Sequence, residues 1–291
     1  MHPVGRRSRA LWKPLIACLL ALPVSSLAAG CWPNWFRDAT VEPVGPPVQS
    51  GVSKEELIAR LNTNITKVYS WRSTNVDIHA RGPLGLPVKL DAQIAVEAPR
   101  NFRLRARSFA GDEADFGSNS ERFWFWIRHT RPKRVFTARH EEADRAIARL
   151  PIPLRPDWLM EVLGVVPIDP NRYTMHPPTS DGIIALVSEQ WSPDGQPIKR
   201  VILVDSARGV IIGHNLYDSG GQLIARATLR EHRRDPVYGV IMPHEIDLEW
   251  PHAGLAMTLV LRQVDVNAQA MPQQLWQVPA IQDYPPLDLG R

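Results

Sequence analysis

The C-terminal half of the sequence is divided by short turn sequences, and this division limits the folds that the chain can adopt. Residues 192–195, 205–209 and 218–221 are rich in Asp, Ser and Gly, which favour tight turns. An apolar-rich run of strand length lies on either side of each turn. We therefore predict an antiparallel meander of five or six strands over residues 190–267.

The segments before residue 135 show the alternation of half-buried strands. Apolar residues recur at every second position and the residues between them are polar or charged. The two clearest examples are Val76, Ile78 and Ala80 with Asp77 and His79 between them, and Phe102, Leu104 and Ala106 with Arg103, Arg105 and Arg107. The expected total is roughly ten strands, a number that an open twisted sheet seldom carries without curling.

Three helices are expected beside these strands. Ser53 and Glu56 form an S-x-x-E capping box, and an apolar stripe at helical spacing follows, so we predict a helix from Lys54 to Val68. Residues 140–150 form a charged helical stretch. Residues 157–163 predict a short helix capped by Asp157, apolar nearly all round and therefore buried or covered.

The N-terminal segment has the layout of an export signal. Four basic residues precede an apolar run over residues 15–22, which is too short to span a bilayer. Ala28, Ala29 and Gly30 then lead directly to Cys31, which resembles the lipobox of bacterial lipoproteins, where the cysteine is acylated and becomes the new N-terminus. Leu27 lies four places before Cys31 rather than the usual three, and ordinary signal-peptidase cleavage is the alternative.

Removal of residues 1–30 changes the charge of the chain. The sequence has 34 Lys and Arg against 30 Asp and Glu, and four basic residues with no acidic ones lie in the signal, which leaves 30 against 30. A near-neutral mature protein gives no support to a nucleic-acid-binding function. Cys18 would leave with the signal and Cys31 would be acylated, so we expect no disulfide and no cysteine-based metal site.

We predict four regions along the chain. Residues 1–30 are the signal peptide, and residues 31–52 carry the acylated Cys31 and a Pro-rich spacer that reaches about 60 Å in polyproline geometry. A disordered segment is the alternative for this spacer. Residues 53–280 form one domain, and residues 281–291 form a C-terminal tail.

Three local sequences resemble the LolA/LolB-like bacterial lipoprotein-localisation superfamily. Residues 98–104 (APRNFRL) are similar to its proline-then-strand step, residues 115–126 (DFGSNSERFWFW) to its turn and aromatic strand, and residues 275–279 (LWQVP) to its last strand. The resemblance implies an α+β fold, a half-open antiparallel β-barrel with an N-terminal helix and short lid helices over the concave face. Because the family's soluble carrier is not lipidated, Cys31 indicates the outer-membrane receptor type or a lipoprotein paralogue.

A half-open barrel has a concave apolar surface that suits acyl chains. We expect a non-enzymatic lipoprotein that binds lipid or lipoprotein acyl chains, anchored in the outer membrane and facing the periplasm, with a periplasmic carrier protein as a candidate partner. Candidate ligand-binding residues are apolar and lie on the strands and the short helix: Phe102, Leu104, Phe123, Phe125, Trp158, Leu159, Val162 and Leu163. Ordinary core packing is the alternative for each of them.

Other functions find little support. Residues 140–144 (HEEAD) lack the second histidine of a zinc-protease motif, and Ser219 lies in a turn rather than in a nucleophile elbow, so we expect no catalytic residue, metal or cofactor. Arg103, Arg105 and Arg107 form either a headgroup-binding row or a solvated strand face. An envelope sensor or structural lipoprotein, with a cavity filled by its own helix, is the alternative function.

Overall fold

A computed structural model describes residues 44–81, 87–147, 149–150, 154–191, 197–269 and 271–290. The predicted signal peptide, Cys31 and residues 32–43 of the predicted spacer lie outside these residues. Within the described chain, no helix has the length and hydropathy needed to cross a bilayer.

One sheet of fifteen strands dominates the fold. The strands are β1 (Ser70–Arg81), β2 (Pro87–Glu97), β3 (Asn101–Ser108), β4 (Gly111–Ser118), β5 (Arg122–Ile127), β6 (Val135–Arg139), β7 (Thr174–His176), β8 (Ile183–Trp191), β9 (Pro197–Asp205), β10 (Val210–Tyr217), β11 (Leu223–Arg234), β12 (Ile241–Trp250), β13 (Leu255–Leu261), β14 (Asp265–Val266) and β15 (Pro286–Asp288). Consecutive strands pair antiparallel through β1–β6 and through β7–β13, and β1 joins the two groups by pairing with β13.

The sheet is open. Its two edges are β7 and β15, and no pairing among the described residues joins them. This confirms the predicted α+β fold with a half-open antiparallel barrel, although we expected about ten strands. The additional strands include β7, β14 and β15, each only two or three residues long. One pairing is parallel, that of β15 with β6.

Helix α1 (Lys54–Ile65) begins as the capping box predicts. The Glu56 amide donates to the Ser53 hydroxyl at 3.2 Å, and the Ser53 amide donates to the Glu56 carboxylate at 3.0 Å. The helix ends three residues earlier than expected, with Thr66 as its C-cap. Asn62 fixes it by exchanging two hydrogen bonds of 2.8 Å with the backbone of Ile168.

The two short helices follow β6. A 3-10 turn (His140–Glu142) leads into α2 (Ala143–Ile147), and α3 (Pro156–Val162) comes next. The prediction that Asp157 caps α3 is wrong, because Arg155 occupies the N-cap position and Pro156 opens the helix. Asp157 instead forms an ion pair with Arg200 of β9.

The helices cover the concave face of the sheet. Helix α1 packs against β8 and β9 through Leu57, Ile58, Leu61 and Ile65. Helix α3 packs into a larger cluster with apolar residues of β1, β2, β3, β12 and β13. On the opposite, convex face the C-terminal segment is packed down, with Trp276 against Ala95 and with Ile281 and Tyr284 against Trp124 and Trp126.

The antiparallel order places the turns at two opposite ends of the barrel. The mouth end carries the β3–β4 turn (residues 109–110) and the β12–β13 turn (residues 251–254). The far end carries the β9–β10 turn (residues 206–209) and the β11–β12 turn (residues 235–240).

Candidate functional site

The mouth end contains a cavity of about 840 Å³. Its walls are mostly aliphatic and aromatic, and its charged lining residues are Lys89, Asp91, Arg107 and Glu113, with the imidazole of His129 beside Glu113. The volume falls within the range of sites that enclose small-molecule ligands. This space is the strongest candidate for a functional site in the described chain.

Strand register explains why the space exists. Ala92, Ala106 and Ala114 lie opposite one another on β2, β3 and β4, so three adjacent strands place a small side chain at the same level. The next level inward is a row of large apolar residues, Ile94, Leu104, Phe116 and Phe125, which also lie opposite one another on β2–β5. The alanine side chains are too small to fill the space between this row of large residues and the mouth. Ala106 and Ala114 therefore line the cavity.

Helix α3 forms the inner boundary of the cavity. Leu159 and Leu163 line it, together with Leu154 just before the helix. The indole Nε1 of Trp71 donates to the carbonyl of Leu163 at 3.0 Å and holds the end of the helix against β1. Across from α3, Leu248, Trp250 and Met257 of β12 and β13 complete the wall.

Five of the eight residues predicted to bind ligand line this cavity: Phe102, Leu104, Phe125, Leu159 and Leu163. The phenylalanine face of β5 points inward, since Phe125 and Ile127 line the cavity while Trp124 and Trp126 lie under the C-terminal segment.

The other three predicted residues are placed elsewhere. Phe123 shares the inward face of β5 but lies under α2, in a cluster with Ala146, Ile147 and Leu289. Trp158 is fully buried in the main core. Val162 lines a separate space of about 90 Å³ beside α1.

Several lining residues were missed from the sequence, among them Ile94, Phe116, Trp250 and Met257. They stand on β2, β4, β12 and β13, and the local sequence of these strands does not give the depth of a side chain in the barrel. Only the register between strands shows which inward-facing residues lie beside the row of alanines.

Ion pairs join the polar face of α3 to the sheet. The side chain of Arg200 on β9 is only 8% exposed and forms ion pairs with Asp157 and, at 2.5 Å, with Glu161. Arg155 adds a second link, an ion pair of 2.5 Å to Asp144 of α2. The apolar side of α3 therefore bounds the cavity while its charged side fixes the helix to β9 and α2.

Burial and charge compete at these carboxyl groups. Burial opposes the ionisation of Asp157, but Arg200 and Arg155 outweigh it and hold its pKa below the usual value. Burial raises the pKa of Glu161, and Arg200 offsets this only in part. Arg200 is thus paired with two carboxyl groups whose pKa values shift in opposite directions, that of Asp157 downward and that of Glu161 upward.

The basic row of β3 is paired rather than free. Arg103 forms an ion pair with Asp115, and Arg107 lies 2.8 Å from Asp112. Arg105 contacts the same two carboxylates at 3.5 and 3.9 Å. These pairs occupy the guanidinium groups that a headgroup-binding row would need.

His140 lies at the far end of β6, beside a polar space of about 400 Å³. Burial lowers the pKa of its imidazole, although a hydrogen bond of 2.8 Å between Nε2 and the carbonyl oxygen of Asn119 opposes the shift. Ser219 belongs to the turn between β10 and β11 at the mouth end. Among the described residues, no group of three or more His, Cys, Asp or Glu side chains is arranged to hold a metal ion.

The open antiparallel sheet, the helices on its concave face and the apolar cavity between them define a LolA-like half-open barrel. Solved structures of similar fold include LolA superfamily protein NE2245 from Nitrosomonas europaea, which is 12% identical, with 78% of this chain and 98% of that chain covered and a TM-score of 0.50.

Two further solved structures have a similar fold. A domain assigned to outer-membrane lipoprotein sorting in Vibrio parahaemolyticus is 12% identical, with 77% and 97% of the two chains covered and a TM-score of 0.53. A DUF1329 family protein from Desulfovibrio piger is 11% identical, with 80% and 100% covered and a TM-score of 0.53. No protein-family profile matches the sequence, and no curated protein matches it. The likeness therefore shows the LolA-like fold.

Proposed function

We propose that this protein is a non-enzymatic lipoprotein of the bacterial envelope, anchored through acylated Cys31, that holds lipid or the acyl chains of lipoproteins in the cavity at the mouth end. The observation that carries the proposal is the open apolar volume of about 840 Å³ beside α3. Its role would be in outer-membrane lipoprotein sorting, with a periplasmic carrier protein as the partner. The fold shared with a lipoprotein-sorting domain supports this role.

Acyl chains fit this site for a physical reason. Each methylene that leaves water for an apolar wall contributes about 0.8 kcal/mol, without any requirement for directed contacts. Leu104, Phe116 and Met257 offer such walls. The charged lining residues lie toward the mouth, on β2, β3 and β4, where a headgroup would remain in water.

The alternative is an envelope sensor or structural lipoprotein whose cavity is filled by α3. Helix α3 does fill part of the concave face, because its Trp158 and Val162 are buried in the core. However, the volume that remains beside Leu159 and Leu163 favours an occupant from outside the chain.

Two measurements test the proposal. Mass spectrometry of the intact native protein should show diacylated Cys31 and a co-purifying lipid. Ala106→Trp places an indole in the unfilled level, so it should weaken binding of a fluorescent fatty acid at least tenfold.

Ala207→Trp is the matched control, because it adds the same side chain at an exposed position of the far end and should leave binding unchanged. A protein that is free of lipid and fails to bind the fatty acid would overturn the proposed cargo. An unmodified Cys31 would overturn the proposed anchor.

A further inference from the structure

The first described residues run along the far end of the barrel. The carbonyl of Val44 accepts a hydrogen bond of 2.6 Å from Arg234, beside the β11–β12 turn. The amide of Val48 donates to the carbonyl of Ser206, in the β9–β10 turn, also at 2.6 Å. Arg60 of α1 donates to the carbonyl of Pro47 at 2.9 Å. Three contacts therefore fix the place where the chain enters the domain.

The cavity opens at the other end. Its outermost lining residues are Val88 at the start of β2 and Phe109 in the β3–β4 turn, and both side chains are exposed. Strand β1 joins the two ends and has 12 residues. At a rise of about 3.3 Å per residue, the entry point and the mouth are separated by up to about 40 Å.

The chain between Cys31 and Val44 is short by comparison. Twelve residues lie between them. Even fully extended at about 3.3–3.6 Å per residue, this segment spans at most about 45 Å. The mouth could touch a bilayer that holds Cys31 only if the whole segment were stretched along the outside of the barrel.

We propose that the mouth faces away from the membrane that holds the protein's own anchor, and that the far end faces that membrane. This orientation rests on the proposed anchor at Cys31 and goes beyond it, because it determines the source of the ligand. Acyl chains would enter from a second protein that approaches from the aqueous side, where Phe109 and Val88 form an exposed apolar rim for it.

The far end has a surface suited to the headgroup region of a bilayer. Val237 and Tyr238 are exposed at the tip of the β11–β12 turn, next to the entry point. A tyrosine presents an apolar ring and a polar hydroxyl, which suits a membrane interface. The neighbouring charges balance: Arg208, Arg233 and Arg234 stand with Asp205, Glu231 and Asp235. This surface therefore has no excess charge that calls for anionic lipid, and vesicles of zwitterionic phosphatidylcholine suit the test.

Site-directed quenching tests the orientation with the full acylated chain. The processed protein would have Cys31 as its only native cysteine, blocked by acylation, so one introduced cysteine can be labelled specifically. Ala207→Cys marks the far end and Ala110→Cys marks the mouth end, and both are exposed turn alanines. Each protein is inserted into phosphatidylcholine vesicles that contain a nitroxide on the lipid headgroup, and the quenching of a bimane label is measured.

We expect the label at position 207 to be quenched at least threefold more than the label at position 110. Equal or reversed quenching in protein that floats with the vesicles would overturn the orientation while leaving the anchor intact. Protein that does not float would overturn the anchor and the orientation together. Fatty-acid binding is measured separately, so the expected quenching without binding would support the orientation and reject only the proposed cargo.

Discussion

Arg103 of β3 and Asp115 of β4 form a bidentate ion pair under the C-terminal segment. Nε and Nη2 of Arg103 lie 3.1 and 2.7 Å from the two carboxylate oxygens of Asp115, and the side chains are only 11% and 7% exposed. The same carboxylate accepts a hydrogen bond of 3.0 Å from Trp124, and Arg103 donates to the carbonyl of Leu275 at 3.1 Å. One ion pair thus joins two strands, an indole and the covering segment.

Asp115→Asn should destabilise the protein by about 3–5 kcal/mol, because it leaves the Arg103 guanidinium buried without a counter-charge. Urea unfolding measures the loss. Asp265→Asn is the control, since its pair with Arg72 is exposed and should contribute less than about 1 kcal/mol. Equal losses in the two variants would show that burial of the Arg103–Asp115 pair has no energetic consequence.

Gly117→Ala should also destabilise the protein, by about 1–3 kcal/mol. A Cβ at position 117 would lie 2.1 Å from the six-membered ring of Trp124, and the hydrogen bond to Asp115 prevents the indole from moving away freely. Thermal unfolding gives the measurement. Gly220→Ala, where the nearest atom is 3.4 Å away, should be nearly neutral. A neutral Gly117→Ala would mean that the indole can shift at low cost.

Acid should destabilise the fold partly through His214. Burial, reinforced by Arg200, lowers the pKa of this imidazole to about 3. The unfolded chain takes up a proton near pH 6.5, which the folded protein does not do until much lower pH, so stability is lost as pH falls from about 6.5 toward 3. At pH 5 the loss from this group reaches about 2 kcal/mol.

His214→Gln should therefore reduce the difference in unfolding free energy between pH 7 and pH 5 by up to about 2 kcal/mol. Asn75→Gln, at an exposed position on β1, is the control, because it changes no titratable group and should leave that difference unchanged. If the His214 variant keeps the full acid sensitivity of the native protein, other groups are responsible.

Arg200→Met should loosen α3 more than the rest of the domain. Removing the guanidinium leaves the mostly buried Glu161 without its counter-ion and leaves Asp157 with Arg155 alone, which should cost about 1–3 kcal/mol. Hydrogen exchange of the α3 amides should accelerate, whereas exchange in β3 should change only with global stability. Arg226→Met removes an exposed pair with Glu249 and should leave α3 unaffected. Uniform acceleration in both regions would argue against a specific link between β9 and α3.

Local patterns in the sequence predicted the elements that local forces determine. The capping box of α1 needs only Ser53 and Glu56, three residues apart, and both hydrogen bonds are present. Alternation gave the inward face of β3 correctly, since Phe102, Leu104 and Ala106 are buried. The meander was expected over residues 190–267 with five or six strands, and the observed one runs from β7 to β13 with seven strands. The turns at residues 205–209 and 218–221 lie between strands as predicted, whereas the predicted turn at residues 192–195 lies outside the described residues.

Other features depend on contacts between distant segments, which local patterns do not contain. Phe123 and Phe125 are two residues apart on one face, yet α2 covers the first while the second lines the cavity. In the sequence Arg103 resembles an exposed residue of an alternating strand. In the structure it is buried, because Asp115 on the neighbouring strand and the segment at Leu275 pack against it. Contacts between distant segments also determine which inward-facing residues line the cavity and which are packed in the core.

The parallel pairing of β15 with β6 makes the C-terminal segment part of the sheet. Residues 286–288 complete the edge at Val135–Thr137, and the segment before them covers Trp124 and Trp126. Without these residues Trp124, Trp126 and the outer edge of β6 would be exposed, and an exposed edge is prone to pair with other chains. Proteolytic trimming of the C-terminal segment is therefore expected to turn this side of the sheet into a surface for self-association.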